Sequence, residues 1–362
     1  MKQPKAKVLI IRCGRLGDTV GTTSIVKPIE EYYKNNVSID WVTKPQIKDL
    51  FKYDVAINPL FIRYTSLPLL FSIGKMKIIF KSFFSPYDAV INLEESNPFD
   101  SFVRLVQSKF KVGRPYTPTF LADEHTIDHQ LRVLKTNFNG INFKNAFPYV
   151  VGSNINVQEK FGLNKEFIVL CPTVYHFKKK NYRTHKAWPL GHWRQLIDLV
   201  LSKTNLHIVI SGEGSSNTFI EQLGPFNDRV INLSGKTSLP DFVEILKKSS
   251  CTITNCSGSL HVASACCKKV IALHGPTNHK VTGGYPSKTN NVIVVSENLP
   301  CSPCFTTSRH KQCPQNVCMQ NISPLTVFQH IIACPEKPSL SKQAPQTITD
   351  AKDHIETNTL VA

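Results

Sequence analysis

Short β-branched runs alternating with helix-period segments constrain this chain most, because few architectures bury both kinds of element in turn. Val8–Cys13, Val37–Thr43, Tyr53–Leu60 and Tyr87–Leu93 read as buried strands, and Thr19–Tyr33, Ser101–Phe110 and Ile127–Phe138 carry apolar residues at helical spacing. A looser stretch, Phe147–Glu166, precedes a second alternation. Its strands are Phe167–Thr173, Leu206–Gly214, Arg229–Gly235, Cys251–Gly258 and Val270–Thr277. Its helices are Trp188–Thr204, Ser216–Leu223, Leu239–Ser250 and Ser259–Lys269. Such alternation implies parallel sheets with right-handed crossovers. Two of them predict two doubly wound α/β domains, residues 1–155 and 156–334, facing a cleft. Ligands of that architecture bind outside the carboxyl ends of the strands. A length of 362 residues suits two domains of about 150 residues each. Residues 335–362 are polar, Pro-containing and aperiodic, which reads as a disordered tail.

Composition narrows the partners. Forty-three Lys and Arg against 26 Asp and Glu leave a net charge of +17, which favours an anionic partner: nucleic acid, a phosphorylated substrate or a membrane surface. Ser66–Phe80 comes nearest to the ~18 apolar residues of a membrane span, but Lys75 and Lys77 interrupt it. No signal peptide is apparent, so the chain is expected in the cytoplasm. Eleven cysteines there argue against a disulfide scaffold. Four of them, Cys301, Cys304, Cys313 and Cys318, form a C-x2-C-x8-C-x4-C cluster that could hold a structural zinc or remain as thiols.

Three turns carry the candidate chemistry. In "KVLIIRCGRLGDTV" a strand runs into Gly14 and Gly17 and then presents Asp18 at the start of a helix. Asp18 could simply cap that helix; its place outside a central strand favours a role in the cleft. The dinucleotide fingerprint is not met, because Arg12 stands where its first glycine belongs. In "RTHKAWPLGHW" Lys186 precedes a helix N-terminus anchored by Trp188 and Trp193, a setting for a phosphate ligand or merely a solvated charge. In "NCSGSLHVASA" Ser257 and Gly258 open a further helix, with His261 in its first turn. His274–Gly284 adds a glycine-containing loop at a strand end.

With these pieces in this order, the chain resembles glycosyltransferase family 9, the heptosyltransferases of the lipopolysaccharide inner core. The matching segments are "LIIRCGRLGDTVGTT", "KAWPLGHWRQLIDL", "CSGSLHVASACCKKVIALHGPTNHKVTGGYP" and "CSPCFTTSRHKQCPQNVCMQNISPLTV", and the resemblance runs from about Lys7 to Ile332. It implies a GT-B fold, two Rossmann-like domains with the active site between them. By position, Asp18 matches the family's proposed catalytic base and Lys186 its diphosphate-binding lysine. Ser257, Gly258 and His261 match the nucleotide-sugar segment, and beside Asp18 stand Gly17, as a further substrate-binding residue, and Arg12 and Arg15, as candidates for phosphate or acceptor-carboxylate contacts. Two positions depart from the family pattern: Cys256 replaces an Asp, and Ser216 replaces the acid after "SGEG", with Glu213 three residues earlier.

The resemblance implies inverting transfer from a nucleoside-diphosphate sugar, ADP-heptose in the first instance, to a lipid-linked lipopolysaccharide core acceptor at the inner-leaflet surface. The protein is then expected to be peripheral, monomeric, free of cofactor and without nucleic acid. No Asp-x-Asp pair occurs in the chain, so Lys186 and the helix N-termini would stabilise the departing diphosphate without a metal. A donor other than heptose is the nearer alternative, given Cys256, and an inactive homologue a further one. From another class, basicity allows a nucleic-acid-binding protein, for which only Tyr175–Arg183 has the interleaved aromatics and cations.

Overall fold

Val8, Leu9, Ile10 and Ile11 are completely buried, which only a central strand covered on both faces allows. The computed structural model describes residues 5–62, 69–116, 121, 123–174, 185–214, 217–287, 290–297, 299–305 and 307–333. Residues up to Ile332 form one unit containing two sheets. The first is built from β1 (Ala6–Ile11), β2 (Val37–Thr43), β3 (Ile57–Phe61), β4 (Tyr87–Asn92) and β5 (Ser108–Gly113), in the order β3-β2-β1-β4-β5. Every pairing is parallel; Val8 lies opposite Ile39 on one side and Ala89 on the other. The helices between are α1 (Leu16–Thr22), α2 (Val26–Tyr32), α3 (Ile73–Phe84) and α4 (Asp100–Leu105), with α5 (Thr126–Lys135) following β5.

The second sheet has six parallel strands: β6 (Phe167–Cys171), β7 (His207–Ile210), β8 (Val230–Asn232), β9 (Cys251–Asn255), β10 (Lys269–His274) and β11 (Asn291–Ser296). Their order is β11-β10-β9-β6-β7-β8. Here the helices are α6 (Val157–Phe161), α7 (Leu190–Lys203), α8 (Asn217–Glu221), α9 (Leu239–Lys248) and α10 (Gly258–Cys266). Ser238 starts α9 by accepting from the Asp241 N–H, while Leu246, Val243 and Ile245 line its buried side. Trp188 and Trp193 are fully buried and meet edge-to-face at 4.9 Å, fixing the start of α7. The strand order reverses at β1/β4 in one sheet and at β6/β9 in the other. Those reversals leave crevices outside the carboxyl ends of β1, β6 and β9, where doubly wound sheets take their ligands.

The two parallel sheets agree with the expected architecture, and four details correct it. Ser101–Phe110 is not one helix: α4 ends at Leu105 and β5 begins at Ser108. Beyond Val106 the pattern has period two, with Val112 inward and Lys109 outward, and the strand wins. β11 extends the second sheet past the expected last strand. The helix expected over Thr19–Tyr33 begins at Leu16 and passes through a 3-10 turn, Thr23–Ile25, before α2. Strand β3 starts at Ile57, because Tyr53 and Asp54 serve a turn whose Asp54 side chain accepts from the Ala56 N–H and the Tyr149 hydroxyl. The expected tail, Tyr175–Arg183 and Ser216 lie outside the described residues.

Candidate active site

After β1 the chain turns through Arg12–Arg15 into α1. Arg15 is the N-cap and Asp18 the third helical residue, whose Oδ2 accepts the Arg15 N–H at 2.8 Å. A Cβ on Gly14 would lie 2.6 Å from the Asp18 Cβ and 2.8 Å from Oδ2, so the carboxylate can fold back over the turn only because Gly14 is bare. Behind it Arg12 is 4% accessible; its guanidinium donates to the Leu93 carbonyl and to Glu95 Oε1 at 3.2 Å, and stands 3.8 Å from Asp18 Oδ1. Asp18 itself remains 47% accessible. The carboxylate is therefore held on one side and open on the other. Glu94, buried beneath it, accepts the Cys13 N–H, and burial raises its pKa while Arg12 pulls it back down.

The matching turn of the second sheet follows β9. Ser257 is the N-cap of α10, yet its side chain does not cap the helix and no acid occupies the first turn. Its Oγ lies 2.7 Å from Ser259 Oγ, which lies 2.7 Å from Thr254 Oγ1. Among the described residues no side chain caps the first N–H groups of α10, an arrangement that favours an anion. The two turns touch. Leu16 packs over Gly258, and a side chain on Gly17 would clash with the His261 ring.

Lys186 comes from the loop between β6 and α7. Asn255 positions that loop: its side chain accepts the Trp188 N–H at 3.2 Å and donates to the Pro172 carbonyl at 2.8 Å. The ammonium of Lys186 lies 3.7 Å over the ring of Phe305. Burial lowers the Lys186 pKa; Arg15 acts in the same direction, and Cys256 and Asp18 oppose it. Asp18 and Lys186, 168 positions apart, therefore sit within each other's field.

His274 ends β10. Val270 and Ala272 share its side of the strand and pack with Leu260 and Val262 of α10, so His274 projects toward the same layer. It is fully buried, its Nδ1 is 3.0 Å from Thr277 Oγ1, and its Nε2 has no hydrogen-bond partner among the described residues. Burial pushes the pKa of His274 down to about 4, with Lys186 adding to the effect. Burial likewise pushes His261 down to about 4 against the pull of Asp18. Both rings are neutral at neutral pH. Beside them a cavity of about 270 Å3, lined by Thr277, His279, Glu297 and Asp123, opens along the seam. The seam is fastened by Thr126 Oγ1 to Val281 O at 3.0 Å and by the Tyr285 hydroxyl to Asp128 at 2.7 Å.

A family model described as glycosyltransferase family 9 (heptosyltransferase) matches residues 85–314, more than half of the chain. The chain belongs to glycosyltransferase family 9. Lipooligosaccharide heptosyltransferase 2 of Campylobacter jejuni serotype O:2 is 24% identical over 328 residues, 87% of this chain and 93% of that relative. The same-named protein of Haemophilus influenzae is 27% identical over 121 residues, and the match spans only 34% of its length. Among solved structures, the family 9 glycosyltransferase from Veillonella parvula superposes with a TM-score of 0.71 at 17% identity, covering 91% of this chain and 97% of that one. The Escherichia coli ADP-heptose LPS heptosyltransferase II superposes at 0.66 and 18% identity, covering 90% and 97%. At these identities the superpositions establish the shared GT-B fold.

Of the residues expected from the family motifs, Asp18, Gly17, Lys186, Ser257, Gly258 and His261 come together around the seam. Arg12 is there too, but as a buried support for Asp18 and Glu95 instead of an open ligand. Glu213 is exposed on the loop after β7, and Cys256 is buried beside the Lys186 field. The four clustered cysteines lie within one another's field, Cys304, Cys301 and Cys313 all acting on Cys318. Among the described residues no group of three or more His, Cys, Asp and Glu is placed to hold a metal. Cys301 is exposed, and Cys313 Sγ donates to the Gln315 carbonyl at 2.7 Å. Burial raises the Cys318 thiol to about 11, toward the protonated form. What this loop does supply is Phe305, whose N–H donates to the Pro276 carbonyl at 2.8 Å and sets the ring under Lys186. Phe305 and Glu94 escaped the reading of the motifs, and His274 entered it only as the first residue of a loop. The one available signal was their closeness in sequence to "CSPC", "HGPT" and the end of β4.

Proposed function

We propose that this protein is an inverting, metal-independent glycosyltransferase that moves a sugar, heptose from ADP-heptose, onto a hydroxyl of a lipid-linked lipopolysaccharide core acceptor. The single observation that carries this reading is the meeting of an open carboxylate with an uncapped helix N-terminus and a lysine across one seam. The acceptor oxygen attacks the anomeric carbon from the side opposite the diphosphate. Its proton passes to Asp18, the new C–O bond forms, and the old bond's electron pair leaves with the diphosphate. Charge grows on that leaving group, where Lys186, the Ser257 and Gly258 end of α10 and a neutral His261 offer hydrogen bonds. Arg12 serves as a positioning residue that keeps Asp18 turned to the seam. The names of the curated relatives support heptose and the lipopolysaccharide acceptor.

A turnover assay with ADP-heptose, set against UDP- and GDP-linked donors and repeated with excess EDTA, tests the reading. Heptose transfer that survives chelation is the expected result. Turnover with another donor alone would replace heptose, a choice that Cys256 in place of the family's Asp makes the specific rival. Transfer abolished by EDTA and restored by a divalent cation would overturn the metal-free mechanism.

A further inference from the structure

Helix α3 has two apolar faces, and only one is covered. Ile78 and Ile79 pack inward with Leu9, Ile11 and Val42 on the outer face of the first sheet. On the other side Ile73, Phe80, Phe83 and Phe84 are 72%, 68%, 60% and 78% exposed, and Leu70 and Phe71 just before the helix are 78% and 72% exposed. Ile73, Phe80 and Phe84 share one stripe at helical spacing, and the last two rings meet edge-to-face at 5.1 Å. A contiguous apolar strip of this kind marks an interaction site.

Its flank is basic. Lys77 and Lys81 are exposed beside the stripe, and from Val55 to Tyr87 the sequence contains no acidic residue. An amphipathic helix with aromatics on one face and lysines along its edge has the make-up of an element that lies in a bilayer interface. A second copy of the chain fits the strip less well, since two such faces in a symmetric pair would crowd like charges together on a protein of net charge +17. The buried face of the same helix leads toward the β1 turn. Near the start of α3, buried Lys75 donates to the Pro98 carbonyl at 2.8 Å, and its charge and the Cys13 thiol lie within each other's field, beside Arg12.

We propose that the outer face of α3, with Leu70 and Phe71 ahead of it, seats on an anionic bilayer, the rings entering the headgroup–acyl boundary and Lys77 and Lys81 meeting lipid phosphates. This rests on the proposed lipid-linked acceptor for its use: an acceptor anchored in that bilayer would meet the enzyme on the same surface. Binding to the surface can be measured without any transfer.

Co-sedimentation of the full chain with vesicles of phosphatidylethanolamine and phosphatidylglycerol, against phosphatidylcholine alone, tests the surface. The wild type pellets with the anionic vesicles only. Phe80→Ser with Phe84→Ser, and separately Lys77→Glu with Lys81→Glu, lower the vesicle partition coefficient at least about tenfold. Lys203→Glu with Lys248→Glu, the same charge change at the exposed ends of α7 and α9, lowers it about twofold or less. Both α3 pairs retain wild-type melting temperatures and transfer to a delipidated acceptor, and lose transfer to acceptor embedded in vesicles. Wild type that stays in the supernatant, or α3 pairs that pellet like wild type, would overturn the proposal. So would a concentration-dependent dimer, seen by light scattering and abolished by the Phe pair, since a second copy would then cover the strip. Should no donor support transfer while the vesicle results hold, the catalytic reading fails and the docking surface stands.

Discussion

The β1–α1 turn and the β9–α10 turn are the same device with opposite fillings. Each follows a strand at the reversal point of its sheet, each uses glycine to turn, and each opens a helix into the seam. At α1 the N-terminal positive charge already has its anion, because Asp18 accepts the Arg15 N–H. At α10 no side chain fills that place. In the proposed reaction one end of the seam would therefore supply the base, and the other would receive an anion that arrives with the substrate. A helix dipole worth roughly 0.5–1 kcal/mol on its own becomes specific through what is put in front of it.

The comparison breaks most visibly at Asp18. Asp18→Asn keeps the shape and removes the base, so kcat should fall roughly 100-fold or more, with the donor Kd shifted no more than about twofold. Turnover within tenfold of wild type would leave α1 with a capping residue only. At the α10 end Lys186→Ala should raise the donor KM and lower kcat/KM about 100-fold, and inorganic diphosphate should compete correspondingly less well. An unchanged inhibition constant would show that the lysine does not meet the anion.

Smaller effects sharpen the same contrast. Phe305→Leu removes the ring under Lys186 and should cost about threefold to tenfold in donor KM, with kcat little altered. Equal losses in both parameters would mean that the whole loop had moved. The smallest concerns pH. His274, with an ordinary value of 6.5, is pushed down to about 4 in the fold. The unfolded chain then binds more protons between those values, so stability is full above about pH 6.5 and falls as the medium is acidified toward pH 4. The loss approaches about 3 kcal/mol at this fully buried site. His274→Asn should flatten that part of a plot of melting temperature against pH; an unchanged slope would assign the acid sensitivity elsewhere.

How far the sequence could be read depends on the range of the physics involved. Local patterning marked β1, β2, β4 and the helices after β6, because burial on both faces of a parallel strand leaves long apolar runs. It failed at β5 and β11, edge strands whose half-exposed residues alternate weakly. The motif residues Asp18, Lys186 and His261 were visible because each sits at a helix start, a feature written in neighbouring residues. Phe305 and His274 were not, since their importance lies in contacts with Lys186 and its surroundings, over a hundred positions distant for Phe305. The partners of Arg12 were hidden for the same reason: Leu93 and Glu95 are far along the chain.

The bare position at Gly17 has an evolutionary consequence. His261 occupies the space that any larger residue there would need, and these two positions belong to helices that follow strands of different sheets. A lineage that acquires a methyl group at 17 must trim the ring at 261, so the pair should drift together even though neither touches the other's strand. Such correlated change would be the historical trace of two halves that became a single machine.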